Sequence, residues 1–453
     1  MLRSYRYRLA FRLAALGILA ASATPAHAET DIREFHELTR RGFLGVDLGR
    51  SEDGQPQITG LHPKGGAARA DVRVGDEILA VNGQKVDFGL SLGIALQPLR
   101  AGSELMLTLR RGDETVESAV TLRPLGFEKP DDLDVIYDVV PNGDTKLRCF
   151  VTKPLVGSSL PAIFFIQGLS CNSVEEPVED PSTVLDLLHQ LTLRGFVTMR
   201  TEKSGVGDSE GESCFEIGFH DEVKGFQNAF DKLLSYDFVD PDNVFVFGHS
   251  MGGTMAPIVA ADRPVRGIVV FGTAVTKWGD YLAENSLRQG RLSGADLAEL
   301  ETRVGEEARF HRLVLDDGKS PAEIVTLHPE LEAVANSQYP DGAHSFTRSV
   351  RFFRELNAFD VAGAWSRIDV PVLALCGEFD YATSPAEHEA IAEIVNAAHP
   401  GRATWKELPR TFHAFNERAT LKEAIEAPWA GPLQTAVADE IVHFVRANLS
   451  TNE

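Results

Sequence analysis

The chain has 453 residues, which is more than one ordinary hydrophobic core accommodates, so its length predicts two or three folded units. Its 66 Asp and Glu residues outnumber its 44 Lys and Arg residues, and the formal net charge is −22. A surface this acidic repels phosphate backbones and anionic head groups, so we expect no nucleic-acid partner and no binding to anionic membranes. The charge does not by itself identify a substrate.

The first 28 residues have the pattern of a secretory signal peptide. Four arginines lie within residues 1–12, a short apolar run spans 13–21, and Ala26-His27-Ala28 supplies a small-x-small cleavage site. The alternative is an uncleaved anchor, but this apolar run is shorter than a bilayer span requires. We therefore expect cleavage near Ala28 and an exported mature protein, periplasmic or secreted, with no integral membrane segment.

Residues 38–125 show the pattern of a small β-rich unit. Asn82-Gly83 lies between two strand-like runs and predicts a tight hairpin turn. A helix is expected near residues 90–99, and a strand is expected at residues 104–110.

One run within this unit points to a family. Residues 74–83 read Val-Gly-Asp-Glu-Ile-Leu-Ala-Val-Asn-Gly, and the unit resembles a PDZ domain of the bacterial envelope type. The resemblance implies that Leu44, Gly45 and Val46 form a loop whose backbone N–H groups bind a peptide carboxylate, with strand addition beside residues 46–48. Asp71 departs from the family pattern, which usually has glycine there. Two roles stay open: capture of a peptide C-terminus, or packing that positions the neighbouring unit.

From residue 131 to residue 453 the pattern changes to apolar runs that alternate with helical stretches. Buried parallel strands read as continuous apolar runs because helices cover both faces of the sheet, so we expect a mostly parallel sheet between two helical layers. Residues 135–140 and 146–152 predict an antiparallel hairpin at one edge. The expected parallel strands are 162–166, 196–200, 244–247, 267–271, 370–375 and 404–408, and the expected helices are 182–194, 221–236, 252–261 and 385–398.

Residues 276–360 interrupt this alternation. They contain amphipathic helical stretches at 295–309 and 346–356 and no convincing core strand. An insertion between two core strands predicts a helical cap that forms and gates the substrate pocket.

A nucleophile motif follows the apolar run at residues 244–247. The sequence Gly248-His249-Ser250-Met251-Gly252 is a G-x-S-x-G pentad, which places a serine on a sharp strand-to-helix turn. Glycines are needed on either side because a Cβ would collide with the crossing strand and helix. We interpret His249 as a packing residue.

Two further strands end in an acid and a base. Asp380 follows the strand at 370–375, and His413 follows the strand at 404–408. A serine hydroxyl needs an imidazole to take its proton, and the imidazole needs a carboxylate to orient it. Glu378 and, more remotely, Asp360 are rivals for the acid. The order Ser250, Asp380, His413 resembles that of the α/β-hydrolases. Within them, residues 131–453 most resemble the serine-aminopeptidase-like and carboxylesterase groups.

This resemblance also implies an oxyanion hole. One N–H would come from Met251, and the other from the loop after residues 162–166, at Leu169 or at Gly168. The family commonly has His-Gly in that loop, whereas this chain has Gln167-Gly168. Residues 200–211 resemble a second family loop with Lys203 at its basic position, for which we expect a structural role.

The fold would also bring two cysteines together. Cys171 and Cys214 lie in loops beside the predicted site, and we expect them to form a disulfide. Cys149 and Cys376 lie in apolar runs and are interpreted as core residues.

The sequence therefore predicts an exported serine hydrolase that cleaves a small-molecule ester through an acyl-enzyme. The alternatives are a peptidase whose PDZ domain presents a peptide, and a non-catalytic PDZ adaptor. No metal or organic cofactor is implied, because the three side chains supply the nucleophile and the base.

Overall fold

The computed structural model describes residues 38–176, 181–427 and 430–450. The predicted signal peptide lies outside these residues. The chain divides after Leu125 into two compact units. Within the described ranges, no helix is both long and apolar enough to cross a bilayer.

The first unit is built on antiparallel β-structure, as the sequence predicts. A six-stranded sheet has the order β2-β3-β4-β6-β7, with β5 paired to β4, while β1 pairs with β8. Asn82 and Gly83 both have positive φ, 51° and 78°, which is the geometry of the expected hairpin turn. The elements are β1 (Gly42–Phe43), β2 (Val46–Arg50), β3 (Pro56–Leu61), β4 (Glu77–Val81), β5 (Gln84–Lys85), α1 (Leu90–Leu96), β6 (Glu104–Arg111), β7 (Glu114–Thr121) and β8 (Arg123–Pro124).

The second unit contains an eight-stranded sheet in the order β18-β17-β14-β13-β11-β12-β10-β9. The two strands at one end of this order, β9 and β10, form the predicted antiparallel hairpin at the sheet edge. Strand β10 also pairs antiparallel with β12, while the other pairs are parallel. The predicted fold class, a mostly parallel α/β-hydrolase sheet, is confirmed. The strands of this sheet are β9 (Leu133–Asn142), β10 (Thr145–Pro154), β11 (Leu160–Ile166), β12 (Val197–Thr201), β13 (Val239–His249), β14 (Gly267–Phe271), β17 (Val372–Gly377) and β18 (Ala403–Leu408). A separate two-stranded sheet consists of β15 (His344–Ser345) and β16 (Arg348–Ser349).

Helices cover both faces of this sheet. The α2 (Thr183–Leu193) and α13 (Thr435–Ala447) helices pack on one face, while α3 (Phe219–Leu233) and α4 (Met251–Ala260) pack on the other. Strand β13 shows why residues 244–247 are all apolar. Val244 and Val246 join the core on the α4 side, and Phe245 and Phe247 join the core on the α2 side. The other helices outside the insertion are α10 (Val361–Ser366), α11 (Pro385–Ala398) and α12 (Leu421–Glu426).

The insertion after β14 is helical, as expected for a cap. It contains α5 (Trp278–Leu292), α6 (Leu297–Leu315), α7 (Pro321–Leu327), α8 (Glu332–Gln338) and α9 (Val350–Ala358), with the short β15–β16 hairpin before α9. The predicted helix over 346–356 begins only at Val350. Phe346 and Thr347 instead have positive φ, 47° and 66°, because β15 and β16 pair around them.

Candidate active site

Ser250 lies at the junction of β13 and α4, in a strained backbone conformation. Its φ is 54° and its ψ is −125°, in a region that non-glycine residues rarely adopt. Its N–H donates to the Phe271 carbonyl at 2.9 Å, which ties the turn to the neighbouring strand β14. The turn therefore holds the serine hydroxyl above the carboxyl edge of the sheet.

The glycines on both sides of Ser250 are required by close packing. A Cβ on Gly248 would lie 2.5 Å from the carbonyl oxygen of Gly252, and a Cβ on Gly252 would overlap the carbonyl oxygen of Ile166. These contacts are with backbone atoms, which cannot move without distorting the turn. The G-x-S-x-G spacing is thus the spacing that this turn can accommodate.

The structure brings the predicted base and acid to this serine. His413 Nε2 lies 3.0 Å from Ser250 Oγ, and His413 Nδ1 lies 2.8 Å from Asp380 Oδ2. An ionised carboxylate can only accept, so Nδ1 carries the proton and Nε2 accepts from the serine hydroxyl. This is the tautomer that can remove a proton from Ser250.

The surroundings of Asp380 keep it ionised. Burial acts to raise the pKa of this carboxyl. The nearby His413 and the hydrogen bonds that Asp380 accepts outweigh burial and lower the pKa to about 2. Those bonds come from the Ala382 N–H at 2.8 Å, the Thr383 N–H at 2.9 Å and the Thr383 hydroxyl at 2.9 Å. Asp380 is therefore both oriented and charged.

Neither rival acid takes this place. The Glu378 carboxylate accepts from the Arg410 N–H at 2.8 Å, and Asp360 caps α10 by accepting from the Gly363 N–H at 2.8 Å. Both side chains are thus used in local backbone contacts, whereas Asp380 is the carboxylate that contacts His413.

His249 has a more definite role than the packing that the sequence suggests. Burial, and then the neighbouring His413, lower the pKa of its ring to about 3, so the ring is neutral. Its Nε2 donates to the His413 carbonyl oxygen at 2.9 Å. His249 thus fixes the backbone of the residue that carries the base.

The two expected oxyanion donors lie beside the serine. Met251 begins α4, and both Met251 and Leu169 line the cavity that contains Ser250. The Gly168 carbonyl points at Lys203 Nζ, 2.6 Å away. In a trans peptide the C=O and the following N–H point in opposite directions, so the Leu169 N–H faces away from Lys203. This geometry favours Leu169 over Gly168 as the second donor.

The serine opens into a cavity of about 400 Å³. Core residues such as Met251 and Thr273 form one wall, and cap residues from α5, α6 and α8 form the other. A cavity of this size holds a small organic molecule.

Comparison with known proteins identifies both units. A family model described as serine aminopeptidase, S33, matches residues 179–418, which is more than half of the chain. The chain belongs to this α/β-hydrolase family. A PDZ-domain model matches residues 42–122, so the first unit is a PDZ domain.

Individual relatives are distant. Esterase EstD of Thermotoga maritima is 20% identical over 269 residues, which cover 58% of this chain and 57% of EstD. Polyketide transferase ATR5 of Stachybotrys chlorohalonatus is 26% identical over 149 residues, covering 32% of this chain and 49% of that protein. The chain thus spans about half of the length of these relatives. The solved structure of Est1E from Butyrivibrio proteoclasticus with ferulic acid has 15% identity and a TM-score of 0.46, covering 69% of this chain and 99% of Est1E.

A buried ion cluster holds residues 167–171 of this α/β-hydrolase, which are called the oxyanion loop after their expected role. Lys203 Nζ donates to the carbonyl oxygens of Gly168, Leu169 and Ser170 at 2.6, 3.2 and 3.0 Å. It also lies 3.0 Å from the Glu222 carboxylate. Burial lowers the pKa of Lys203 to about 8, and the neighbouring Glu222 opposes that shift. Lys203, Glu222 and Arg348 are hereafter called the loop clamp.

Arg348 extends the loop clamp into the cap. Its guanidinium donates to the Leu169 carbonyl at 3.1 Å and to the Glu222 carboxylate at 2.6 Å, and its side chain is fully buried. Sequence reasoning expected only a structural role for Lys203 and did not find Glu222 or Arg348. The sequence does contain one signal for Glu222, because this acidic residue lies on the apolar face of the helix predicted at residues 221–236, which is α3 in the structure.

A disulfide joins the two loops at this end of the site. Cys171 and Cys214 are bonded, and Cys149 and Cys376 are buried free thiols. The bonded pair closes a loop of 43 residues, for which chain entropy gives a stabilisation of about 4 kcal/mol. Because Cys171 follows Ser170, this bond restrains the oxyanion loop where the contacts of Lys203 end.

The predicted carboxylate loop of the PDZ domain lies between β1 and β2. Gly45 has φ of 72°, and a Cβ there would lie 2.5 Å from the Gly65 Cα atom. In the described residues β2 pairs only with β3, so it is an edge strand.

Proposed function

We propose that the protein is an exported serine hydrolase that cleaves a carboxylic ester through an acyl-enzyme on Ser250. The observation that carries this proposal is the contact chain from Ser250 Oγ to His413 to Asp380, at 3.0 and 2.8 Å. Membership of the α/β-hydrolase family and the esterase name of one distant relative support it.

The chemistry follows from the positions of the side chains. His413 Nε2 takes the Ser250 proton as Oγ attacks the ester carbonyl, and the N–H groups of Met251 and Leu169 stabilise the oxyanion. The tetrahedral intermediate collapses when the C–O bond to the alcohol breaks and His413 returns the proton to that alcohol. Water, deprotonated by His413, then attacks the acyl carbon. The bond from that carbon to Oγ breaks, His413 gives its proton to Oγ, and the carboxylic acid leaves.

A substrate panel tests the choice of bond. Purified mature protein is assayed with alkyl and aryl esters and with aminoacyl anilides, and the mutant Ser250→Ala is the control for background hydrolysis. We expect kcat/KM for the esters to exceed that for the matched anilides by at least about 10²-fold, because the amine is a poorer leaving group. Preferred cleavage of aminoacyl anilides would favour the alternative peptidase, and no turnover of either class would favour the adaptor.

We propose separately that the PDZ domain binds a peptide C-terminus, an interpretation favoured by the free edge of β2 and the loop at Gly45. Peptides with random C-termini are screened against the full chain, and each binder is compared with its C-terminal amide. We expect amidation or the mutation Gly45→Ala to weaken binding at least about tenfold, through loss of charge-assisted hydrogen bonds.

Gly54→Ala is the matched control for this test. Gly54 also has positive φ, 85°, but an added Cβ would meet nothing within 4 Å. Binding that survives both Gly45→Ala and amidation would contradict recognition of a C-terminal carboxylate at this loop. The absence of any peptide binder would favour a packing or positioning role for the domain.

A further inference from the structure

Helix α5 of the cap contacts the turn that carries the proposed catalytic acid. This turn, residues 380–383, is hereafter called the acid turn. The Arg288 guanidinium donates to the carbonyl oxygens of Asp380 and Tyr381 at 3.1 and 2.8 Å. The Gln289 side chain donates to the same Tyr381 carbonyl at 2.8 Å. Two adjacent residues of α5 thus bind two consecutive carbonyl groups of the acid turn.

A further contact comes from an earlier part of the same helix. The Tyr281 hydroxyl donates to the Ala382 carbonyl at 2.7 Å. Burial raises the pKa of Tyr281, so this hydroxyl keeps its proton and can donate it. Tyr281 and Arg288 are seven residues apart, which is about two helical turns, so both lie on one face of α5. That face therefore holds three consecutive carbonyl groups of the acid turn.

The same peptide groups orient the Asp380 carboxylate from their other ends. In a trans peptide group the C=O and the following N–H point in opposite directions. The Tyr381 carbonyl shares its group with the Ala382 N–H, and the Ala382 carbonyl shares its group with the Thr383 N–H. These two N–H groups both donate to Asp380 Oδ1, at 2.8 and 2.9 Å. Helix α5 thus fixes the carbonyl ends of the two peptide groups whose N–H ends hold the acid. A carbonyl that accepts a hydrogen bond also polarises its own peptide group, which makes the N–H a stronger donor.

The space around Asp380 leaves little room for a displaced turn. A Cβ on Gly272 would lie 2.9 Å from Asp380 Oδ2 and 2.9 Å from His413 Nδ1, so these two side chains pack directly against the Gly272 backbone. The carboxylate is enclosed by this backbone, by His413 and by the N–H groups of the acid turn. Its orientation toward His413 therefore depends on where the turn lies.

We propose that α5 positions the Asp380 carboxylate and that Arg288 is the main positioning residue. The inference rests on the proposed function and deepens it, because the cap then supports the acid of the reaction as well as forming a wall of the pocket. The described residues that line the cavity include Tyr281 and Gln289 but not Arg288. Mutation of Arg288 should therefore lower kcat without removing a contact with the substrate.

The mutation Arg288→Met tests this role in steady-state kinetics. It removes the contacts with the Asp380 and Tyr381 carbonyls and keeps a long apolar side chain. We expect kcat for an ester to fall by about 10- to 10²-fold with little change in KM, because small displacements of catalytic groups have effects of this size. Arg288→Lys keeps the charge and a flexible donor, so its kcat should lie between those of Arg288→Met and the wild type.

Arg291→Met is the matched control. Arg291 is exposed on the same helix, so its replacement removes the same charge away from the acid turn. It should leave both kcat and KM at the wild-type values. A wild-type kcat in Arg288→Met, or a change in KM alone, would overturn the proposal.

The rate of labelling by a fluorophosphonate probe gives a second readout that needs no substrate. The probe reacts with Ser250 Oγ, and its rate depends on how well His413 and Asp380 activate that hydroxyl. We expect the labelling rate constant to fall by at least about tenfold in Arg288→Met and to stay unchanged in Arg291→Met. A folded Arg288→Met protein that labels at the wild-type rate would overturn the positioning role, even if its Tm is lower.

A second variant decides the question if Arg288→Met does not fold. Tyr281→Phe removes the hydroxyl that binds the Ala382 carbonyl and keeps the aromatic ring. We expect its labelling rate constant to fall by at least about threefold, since it loses one hydrogen bond to the acid turn. Circular dichroism and thermal unfolding establish that each variant is folded at the assay temperature. An unfolded Arg288→Met together with wild-type labelling of Tyr281→Phe would contradict the proposal.

The two readouts also distinguish this inference from the proposed function. If the wild type labels at Ser250 but turns over no ester, the esterase proposal fails, and the labelling rates still decide the role of α5. If esters are turned over and Arg288→Met keeps the wild-type kcat and labelling rate, the role of α5 fails and the esterase proposal stands.

Discussion

The mutation Ser250→Ala should lower kcat for ester hydrolysis by at least about 10⁴-fold, leaving only the rate that binding and oxyanion contacts provide. The physical reason is that, among the residues that the structure describes, Ser250 supplies the hydroxyl that contacts His413 Nε2. His413→Ala should have an effect of similar size, since the serine hydroxyl is a weak nucleophile without a base. The measurement is kcat on an ester that the wild type cleaves.

Combined mutations make this prediction sharper. If the three side chains act as one unit, the double mutant Ser250→Ala/His413→Ala should be no slower than either single mutant. Asp380→Asn keeps the shape of the acid but favours the wrong imidazole tautomer, and we expect a loss of about 10⁴-fold. Ser235→Ala is the control, because Ser235 is exposed. Single-mutant effects that multiply would argue against a shared step.

The mutation Lys203→Met should lower both stability and kcat. It removes the buried ammonium group from the carbonyl oxygens of Gly168, Leu169 and Ser170, of which Leu169 keeps its contact with Arg348. Removing one member of a buried ion pair costs about 3–5 kcal/mol. The loop would then hold the Leu169 N–H less accurately, and loss of one oxyanion donor lowers kcat by about 10²–10³-fold. We expect the free energy of unfolding to fall by about 3–5 kcal/mol and kcat to fall by about 10²-fold, with little change in KM.

Lys224→Met is the matched control for this mutation. Lys224 is exposed on α3, two residues from Glu222, so its replacement removes the same charge without touching the loop clamp. Denaturant unfolding gives the free energy of unfolding, and steady-state kinetics separate kcat from KM. A destabilised Lys203→Met protein with unchanged kcat would show that the loop clamp supports the fold but does not position the oxyanion loop.

The sequence predicts the core of the candidate site well for a physical reason. Ser250 and Asp380 follow buried parallel strands, and His413 follows the parallel edge strand β18, which is largely exposed. Parallel strands all end at one edge of a sheet, so the three residues meet there. Residues 244–247 of β13 and the strand β17 are easily recognised because they are continuously apolar and buried. The pairing of Cys171 with Cys214 could be expected on the same basis, from the loops in which they lie.

Other features depend on contacts that no local pattern encodes. The loop clamp joins Lys203, Glu222 and Arg348 from a loop, a core helix and the cap, and each residue alone reads as an ordinary surface charge. The role of His249 depends on where the backbone of His413 passes. The residues of α6 that line the cavity, Arg303, Glu307 and His311, likewise could not be predicted, since an amphipathic pattern does not reveal which face of a helix meets a cavity.

The most direct measurement of the central claim is covalent labelling with a fluorophosphonate probe, followed by intact-mass analysis and peptide mapping. The wild-type protein should gain one probe adduct, on the peptide that contains Ser250. Ser250→Ala should gain none, and Ser235→Ala should label like the wild type. Equal labelling of wild type and Ser250→Ala, or an adduct mapped to another residue, would contradict the assignment of Ser250 as the nucleophile.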